Sequence, residues 1–401
     1  ALLCSSTTNG AQSNTIRNNT ISLNKAYSNT FGIYSNARHS ASNVITVADA
    51  SSANGANSNN IIHGNTISNV NTGIAFTGSS NAGFMDLGND IGGSDLSTAN
   101  TISNWGGLTT ASAFVGIAAG SHGIIINNQK NENVSFNTLT SATLTGTPVD
   151  TRGIYKTYNT VPTGTFTSSI TNNVITVNHN FASGLLAGIL SEGMATTVNG
   201  ATIQINNNRF QNMAVMAAAS STELVGISNT SSCGTLNIND NIFRGNTSTA
   251  TTAGFTAISN ASFTATAANI NNNKIGDASG NAISFSAAAF SGVVRGINNS
   301  TGTGTPATLS ISGNNFQGFI QSTASAAVYV FIECLRQGNV APSVTGINSN
   351  TFTNLSINSS GSVTFIRRTG PMSLNAGITD NCNDNRIVTA FVKPVAGGTV
   401  T

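Results

Sequence analysis

The repeated unit of this chain is clearest in the stretch Ile203-Gln204-Ile205-Asn206-Asn207-Asn208-Arg209-Phe210-Gln211-Asn212. Its skeleton is an apolar residue, two spacers, an asparagine, one spacer, and then Ile or Phe. The asparagine, which we call the anchor, returns about every 37 residues along the 401-residue chain, a period typical of repeat proteins. This period predicts one elongated domain, residues 1–401, instead of several globular ones. The anchors are Asn19, Asn65, Asn100, Asn137, Asn173, Asn208, Asn241, Asn273, Asn314, Asn350 and Asn385.

Each period contains three short apolar stretches that predict β-strands. They are too short, too β-branched or too closely flanked by glycine to be helices. The first carries a Gly-Ile pair, as at Gly116-Ile117 and Gly226-Ile227; the second ends three residues before the anchor, and the third begins at the anchor. The two residues before the anchor are mostly Asn, Gly or Ser, and Asn and Gly tolerate left-handed backbone angles. The pattern predicts an all-β coil whose equivalent strands pair in parallel about 4.8 Å apart.

A resemblance is clearest at Asn89-Asp90-Ile91-Gly92-Gly93-Ser94, followed by Asn100-Thr101-Ile102-Ser103-Asn104. In these motifs the chain resembles the Asn-rich repeats of large secreted bacterial surface proteins, of the Bacteroidota type IX secretion style. The resemblance implies an extended, right-handed parallel β-helix. The repeats themselves predict three short strands per coil and about ten to eleven coils. It implies no single activity, because such folds include lyases, glycosidases, adhesins and passive stalks.

The alternation of side chains in a strand predicts which residues point inward. The anchors are expected to stack and to bond amide to amide, which would satisfy polar groups that an apolar interior cannot. The same alternation puts Asn65, Ile67 and Asn69 on one face, while Thr66 and its equivalents face water. The stretches Asn100 to Asn104, Asn208 to Asn212 and Asn350 to Asn354 are expected to do the same. The extra length of the longer periods falls after the third strand and predicts protruding loops at Leu23 to Ser28, Ser141 to Asp150, Met213 to Glu223 and Thr247 to Thr256.

Composition argues against several classes of partner. Only 7% of the residues are charged and the net charge is +2, with no basic stripe for a phosphate backbone, so nucleic acid is not an expected partner. No apolar run approaches the length of a membrane-spanning helix. The cysteines form no CxxC pair for zinc, and Cys334 and Cys382 are expected to be small buried hydrophobic residues.

Asp86, Asp90 and Asp95 form the only local cluster of acids that we single out. Aspartate oxygens at short spacing suit a hard cation, so one interpretation is a calcium site. The other interpretation is turn chemistry within the Asn89–Ser94 motif. No other cofactor is expected. Asp380 and Asp384 allow the same two interpretations.

Tyrosine and arginine offer a candidate ligand-binding strip. Tyr34 and Tyr155 each follow a Gly-Ile pair and are expected to face outward, where they could form a carbohydrate platform. Arg152 and Arg295 precede such pairs, and Arg367 follows Ile366 in the equivalent strand. The arginines are either a sugar- or carboxylate-binding strip or ordinary solvent-facing charges. Further aromatic candidates for sugar stacking are Tyr158, Tyr329 and Trp105.

Repetition without a singular site predicts a non-catalytic role. We expect a structural or adhesive β-solenoid segment of an extracellular bacterial cell-surface protein or filament. The expected partners are other copies or segments of the same assembly, and surface glycans. The alternative is a β-helix that binds or cleaves polysaccharide, which would need convergent carboxylates.

Overall fold

The computed structural model describes residues 1–27, 29–40, 49–106, 112–114, 117–144, 150–196, 198–287, 289–300, 308–335, 343–369 and 378–401. Nearly all regular structure in this part of the chain is β-strand, and two 3-10 turns lie at Ala53–Gly55 and Leu96–Thr98. The strands form three large sheets and one two-stranded sheet, made of Asp86–Leu87 and Gln129–Lys130. The predicted all-β parallel solenoid is confirmed. Its right-handed sense stays a prediction.

The first sheet contains the strands that carry the Gly-Ile pairs, and they stack in chain order. Its parallel strands are Leu2–Cys4, Phe31–Ser40, Thr72–Thr77, Ile117–Asn127, Thr151–Thr157, Leu186–Ser191, Leu224–Asn229, Phe255–Asn260, Val293–Ser300, Val328–Leu335 and Val363–Thr369. The short strand Ser112–Phe114 pairs antiparallel with Ile117–Asn127.

The second sheet contains the strands that precede the anchors. They are Thr15–Arg17, Ile61–His63, Asp90–Ile91, Asn133–Ser135, Phe166–Thr171, Val198–Asn206, Cys233–Asn237, Thr264–Asn269, Thr308–Ser312, Ser343–Asn348 and Ile378–Asn381.

The third sheet contains the strands that follow the anchors, and in its later coils these are joined by a further strand. The strands after the anchors are Thr20–Ser22, Thr66–Ser68, Thr101–Trp105, Thr138–Leu144, Val174–His179, Arg209–Gln211, Ile242–Arg244, Lys274–Ile275, Asn315–Gln317, Thr351–Thr353 and Arg386–Ile387. The further strands are Ala214–Val215, Asn246–Ser248, Ile283–Phe285, Phe319–Ser325 and Ser356–Ser359.

One apolar cluster fills the coil from Leu2 to Val363. Equivalent residues of successive coils lie in register, so Ile175 pairs with Phe210, and Phe210 pairs with Phe243. The rings of Phe210 and Phe243 stack with centroids 4.7 Å apart. These ladders explain why Ile and Phe alternate freely at this position: either one covers the residue of the neighbouring coil.

The glycine of each Gly-Ile pair makes room for the side chain that follows the anchor. A Cβ atom on Gly188 would lie 2.4 Å from Cδ1 of Phe210, and one on Gly226 would lie 2.3 Å from Cε1 of Phe243. The register also corrects one assignment. Ile124 pairs with Ile74 and Ile154, so the true pair in that coil is Gly123-Ile124 and not Gly116-Ile117.

The predicted left-handed corner before the anchor is confirmed. The residue preceding the anchor has φ between 55° and 68° in all but one coil. These residues are Asn18, Gly64, Phe136, Asn172, Asn207, Asp240, Asn272, Gly313, Ser349 and Asp384.

Phe136 is the only aromatic residue at this corner, with φ 57°. The left-handed conformation costs a bulky residue about 1–2 kcal/mol, and Asn adopts it more easily. We therefore expect Phe136→Asn to raise the free energy of unfolding by about 1 kcal/mol, measured by chemical denaturation. Asn172→Phe is the matched reverse change and is expected to lower it. An unchanged or lowered stability of Phe136→Asn would contradict this account.

Two expectations about side-chain placement are wrong. Asn69, Asn104, Asn212 and Asn354 have φ between 49° and 56°, so the chain turns at them and they do not share a face with their anchors. Cys334 is buried as predicted, but Cys382 is exposed, because the last coil lacks the cover that inner coils have.

The expected loops after the third strand are only partly loops. The stretches Met213 to Glu223 and Thr247 to Thr256 contain strand residues and contribute Val215 and Ala250 to the core. The sequence predicts loops here because Ala, Ser and Thr give no strong strand pattern. In the first coil, Leu23 and Tyr27 do protrude into solvent. Within Ser141 to Asp150, the first residues extend a strand, and residues 145–149 lie outside the described part.

Candidate functional site

The most regular feature of the molecule is the ladder of anchor asparagines. The Nδ2 atom of each anchor donates to the Oδ1 atom of the next anchor, at distances between 2.9 and 3.2 Å, from Asn19 to Asn385. The predicted stack of amides is therefore confirmed along its whole length.

Asn208 shows the geometry of one rung. Its Oδ1 accepts from the backbone N–H of Asn173 at 3.0 Å and from Nδ2 of Asn173 at 2.9 Å. Its own Nδ2 donates to the carbonyl of Ile170 at 2.8 Å and to Oδ1 of Asn241 at 3.2 Å. The side chain is fully buried, so these bonds supply partners that water cannot.

Two further amide ladders lie outside the anchor motif, and the repeat pattern does not predict them. Asn14, Asn60, Asn89 and Gln129 form one of them, with Nδ2 donating to the next side-chain oxygen at 2.9, 3.1 and 2.6 Å. The other joins Asn229, Asn260 and Asn299 at 3.0 and 2.8 Å. The second ladder had a sequence signal, because each of its members lies two residues after an aligned isoleucine of the first sheet.

The candidate calcium ligands lie in three different surroundings. Asp86 is buried and accepts from the backbone N–H of Asn57 at 2.9 Å and from Nε2 of Gln129 at 3.1 Å. Asp90 contacts Nε2 of His63 at 2.9 Å. Asp95 caps the 3-10 turn Leu96–Thr98.

Each of the three carboxyls is thus engaged by protein groups of its own. In the described part of the chain, no three His, Cys, Asp or Glu residues are grouped so that they could hold a metal ion. Calcium binding stays a prediction. The geometry of Asp95 agrees with the alternative interpretation, turn chemistry.

Burial raises the pKa of Asp86 well above the usual range of an aspartate, to about 7, against hydrogen bonds from Gln129 and Asn57 that lower it. The folded chain therefore binds a proton at this carboxyl up to about pH 7, whereas the unfolded chain releases it near pH 4. The contribution of Asp86 to the free energy of unfolding should therefore fall by about 4 kcal/mol as pH rises from about 4 to about 7. Below and above this window, the contribution should be constant.

Urea denaturation between pH 4 and 8 measures this dependence. We expect Asp86→Asn, which stays uncharged, to remove the fall in stability. Asp95→Asn is the control: hydrogen bonds from Ser97 lower the pKa of Asp95, so it titrates below the window. A wild-type slope that persists in Asp86→Asn would show that another group carries it.

The two tyrosines occupy equivalent outward positions, as predicted, but Tyr155 does not face solvent. Ala75 and Ile125 separate Tyr34 from Tyr155 in the register of the first sheet, and all four belong to a second apolar cluster on its outer face. Tyr155 is 4% exposed and Tyr34 is partly buried. The expected exposure of Tyr155 is wrong, while carbohydrate binding stays a prediction. Tyr158, Tyr329 and Trp105 are buried too.

Polar and charged groups surround the ring of Tyr155. The guanidinium of Arg152 lies 4.5 Å from the ring centroid, and the His122 ring stacks on it at 5.4 Å. The hydroxyl of Tyr155 donates to Oε1 of Glu192 at 2.5 Å. Burial and Arg152 hold the pKa of His122 well below its usual value, so this imidazole is neutral and accepts from Nη1 of Arg152 at 3.0 Å.

Arg152, predicted to be outward and solvent-facing, is instead buried and paired with Asp150 at 2.6 Å. The other two arginines of the candidate strip are half-buried and share one carboxylate. Arg295 and Arg367 contact the two oxygens of Glu333 at 3.0 and 2.5 Å. This outer-face contact is a structural cross-link between coils.

Most acids in the chain are engaged in the same way. Asp49, Asp277 and Asp380 pair with arginines, and Glu223 accepts from Thr256. Asp240 and Asp384 remain exposed at their corners. A glycosidase needs two carboxyls that flank one bond of the substrate; apart from Asp240 and Asp384, each acid is held by a protein group.

A buried ion pair joins Lys156 to Glu132. Their atoms Nζ and Oε1 are 2.6 Å apart, and each residue is 2% exposed. Nζ also donates to the carbonyl of Gln129 at 2.9 Å and lies 4.2 Å from the ring centroid of Tyr158. Burial lowers the pKa of Lys156 and Glu132 opposes this. No pattern in the repeat marks these two residues, because charge at an inward position contradicts the alternation.

Comparison with known proteins adds no identification. No protein-family model matches the chain, no curated protein matches it, and no solved structure matches its fold. Among the described residues, no helix has the length and apolar character needed to cross a membrane.

Proposed function

We propose that this chain is a non-catalytic structural or adhesive β-solenoid of an extracellular bacterial cell-surface protein or filament. The observation that carries the proposal is the continuous anchor ladder from Asn19 to Asn385. A site for chemistry would be expected to interrupt such a repeat, because reacting groups must converge at one place. The Asn-rich repeat style supports the extracellular, cell-surface part of the proposal, together with type IX secretion.

The proposed role is mechanical. Parallel strands, apolar ladders and amide ladders connect each coil to the next. A force along the axis therefore acts on many hydrogen bonds at the same time. Charged residues add cross-links between coils, as between Arg295 and Glu333. The proposed partners are other copies or segments of the same assembly, and surface glycans.

Single-molecule pulling on residues 1–401 tests this role. Uncoiling of one repeat of about 37 residues should lengthen the chain by ~130 Å. We expect a series of such steps, because each coil is held mainly by its neighbours. Unfolding of the whole chain in a single event at low force would argue against a solenoid that resists mechanical force.

A second candidate function is binding or cleavage of a polysaccharide along the outer face of the first sheet. It is favoured by Tyr34, which is only partly buried, and by the half-buried Arg295 and Arg367. Binding to immobilised glycans that falls in both Tyr34→Ala and Arg367→Ala would support binding, and release of reducing ends would support cleavage. The matched control is Arg244→Ala, on the third sheet.

A further inference from the structure

A cavity of about 200 Å³ lies where the chain passes from the first sheet to the second, beside the two-stranded sheet of Asp86–Leu87 and Gln129–Lys130. Leu87 and Lys130 are register partners in that sheet, and both line the cavity. In the described part of the chain, these are the only paired strands that lie outside the three large sheets. The cavity therefore belongs to one place in the chain and is not a feature of the repeat.

One side of the cavity is apolar. It is formed by Phe84, Met85 and Leu87. Met85 is buried in the core, Phe84 is partly buried, and Leu87 is 42% exposed. Ligand pockets typically combine such an apolar surface with a few polar groups that orient the ligand. A sugar ring suits this side, because its C–H groups form an apolar face.

The other side presents amides that the protein itself does not use. Asn54 and Asn59 are exposed, and no described residue forms a hydrogen bond with either side-chain amide. The neighbouring Asn57 and Asn60 differ, because their amides bond to carbonyls of the first coil. An asparagine amide both donates and accepts, so Asn54 and Asn59 can bind the hydroxyls of a sugar.

Among the described residues that line the cavity, Lys130 is the only charged one. It forms no ion pair with any described residue, and its Nζ atom lies 3.5 Å from the carbonyl oxygen of Thr163. The carboxyl of Asp86 is directed into the coil, where it accepts from Asn57 and Gln129. A single ammonium group without a counter-charge favours a ligand that carries one negative charge.

We propose that this cavity binds one acidic sugar residue of a surface glycan, whose ring packs on Phe84 and Leu87 and whose carboxylate pairs with Lys130. The hydroxyls of the sugar bond to Asn54 and Asn59. This inference rests on the proposal that glycans are partners, and it adds a site away from the outer face of the first sheet. A volume of about 200 Å³ is smaller than that of pockets for drug-sized ligands, so it holds a single ring.

Ligand-observed NMR titration of residues 1–401 with methyl glucuronide tests the proposal. At pH 6 the carboxyl of Asp86 is mostly protonated, because its pKa is about 7, so it does not oppose the anion. We expect binding that Lys130→Met weakens about tenfold or more in dissociation constant. Lys274→Met is the matched control, because Lys274 is an exposed lysine on the third sheet. Equal losses in the two variants, or no binding of methyl glucuronide, would overturn the proposal.

Two further ligands and one further variant test the ligand class and the place of binding. Methyl glucoside lacks the carboxylate and acetate lacks the ring, so each should bind about tenfold more weakly than methyl glucuronide, or worse. Equal affinity for either one would contradict an acidic sugar as the ligand. A Cβ atom on Gly83, which lines the cavity, would meet only Oδ1 of Asn81, at 3.5 Å. Gly83→Trp should therefore fold and fill the cavity, and unchanged binding in this variant would place the sugar elsewhere.

Failure of this inference can be distinguished from failure of the proposed function. Arg367→Ala, on the first sheet, should leave the binding of methyl glucuronide unchanged, and a loss in this variant instead of Lys130→Met would overturn the cavity as the site. Immobilised glycans that bind the wild type and Lys130→Met equally would also overturn it, while glycans would remain partners. Stepwise uncoiling in the pulling experiment does not depend on Lys130.

Discussion

Replacing Asn208 by Leu is expected to lower the free energy of unfolding by about 2–6 kcal/mol. The change removes an acceptor from both donors of Asn173, and a donor from the carbonyl of Ile170 and from Oδ1 of Asn241. Nδ2 of Asn173 keeps the carbonyls of Val134 and Thr171, and Oδ1 of Asn241 keeps the backbone N–H of Asn208. The main loss therefore falls on the backbone N–H of Asn173 and the carbonyl of Ile170, at about 1–3 kcal/mol for each buried group left without a partner. Leu is close to Asn in size, so the loss reports hydrogen bonding more than lost volume.

Chemical denaturation gives the total loss, and hydrogen exchange locates it. We expect the amide of Asn173 to exchange faster in Asn208→Leu, because its acceptor is gone. The matched control is Asn19→Leu: Asn19 is exposed in the first coil, so its loss should cost less than about 1 kcal/mol. Equal losses at the two positions would show that the ladder does not carry the coil-to-coil stability.

The anchors could be predicted because they combine two signals that do not depend on distant contacts. Asn208 recurs at a fixed offset from Ile205 and Phe210, and the residue before it needs a left-handed backbone. The repeat period and the left-handed corner before the anchor together determine the face to which each side chain points. The same argument placed Tyr34 and Tyr155 correctly on the outer face of the first sheet.

Burial of that outer face could not be predicted, because it depends on groups distant in sequence. Tyr155 is enclosed by His122 and Arg152 and bonded to Glu192, none of which shares its position in the repeat. The further strand Ala214–Val215 was missed for a similar reason. Its short, weakly apolar sequence becomes a strand only by pairing with Val174–His179.

The ion pair between Lys156 and Glu132 could not be predicted from the sequence either. Our second prediction with a large expected effect concerns this pair. Lys156→Met is expected to destabilise the chain by about 3–5 kcal/mol, because it leaves the carboxylate of Glu132 buried without a counter-charge. Ser168 still donates to Oε1 of Glu132 at 2.5 Å, but one neutral hydroxyl does not replace an ammonium group.

Removing both charges should restore most of the stability lost in Lys156→Met. A buried ion pair gains little over apolar residues of similar size, since desolvation offsets the attraction. The double variant Lys156→Met with Glu132→Leu should therefore be more stable than Lys156→Met alone in urea denaturation. The partly exposed pair of Arg244 and Asp277, whose side chains are 24% and 17% exposed, serves as control, and Arg244→Met should cost less than about 1 kcal/mol. If the double variant is instead no more stable than Lys156→Met, the unpaired carboxylate of Glu132 is not the cause of the loss in the single variant.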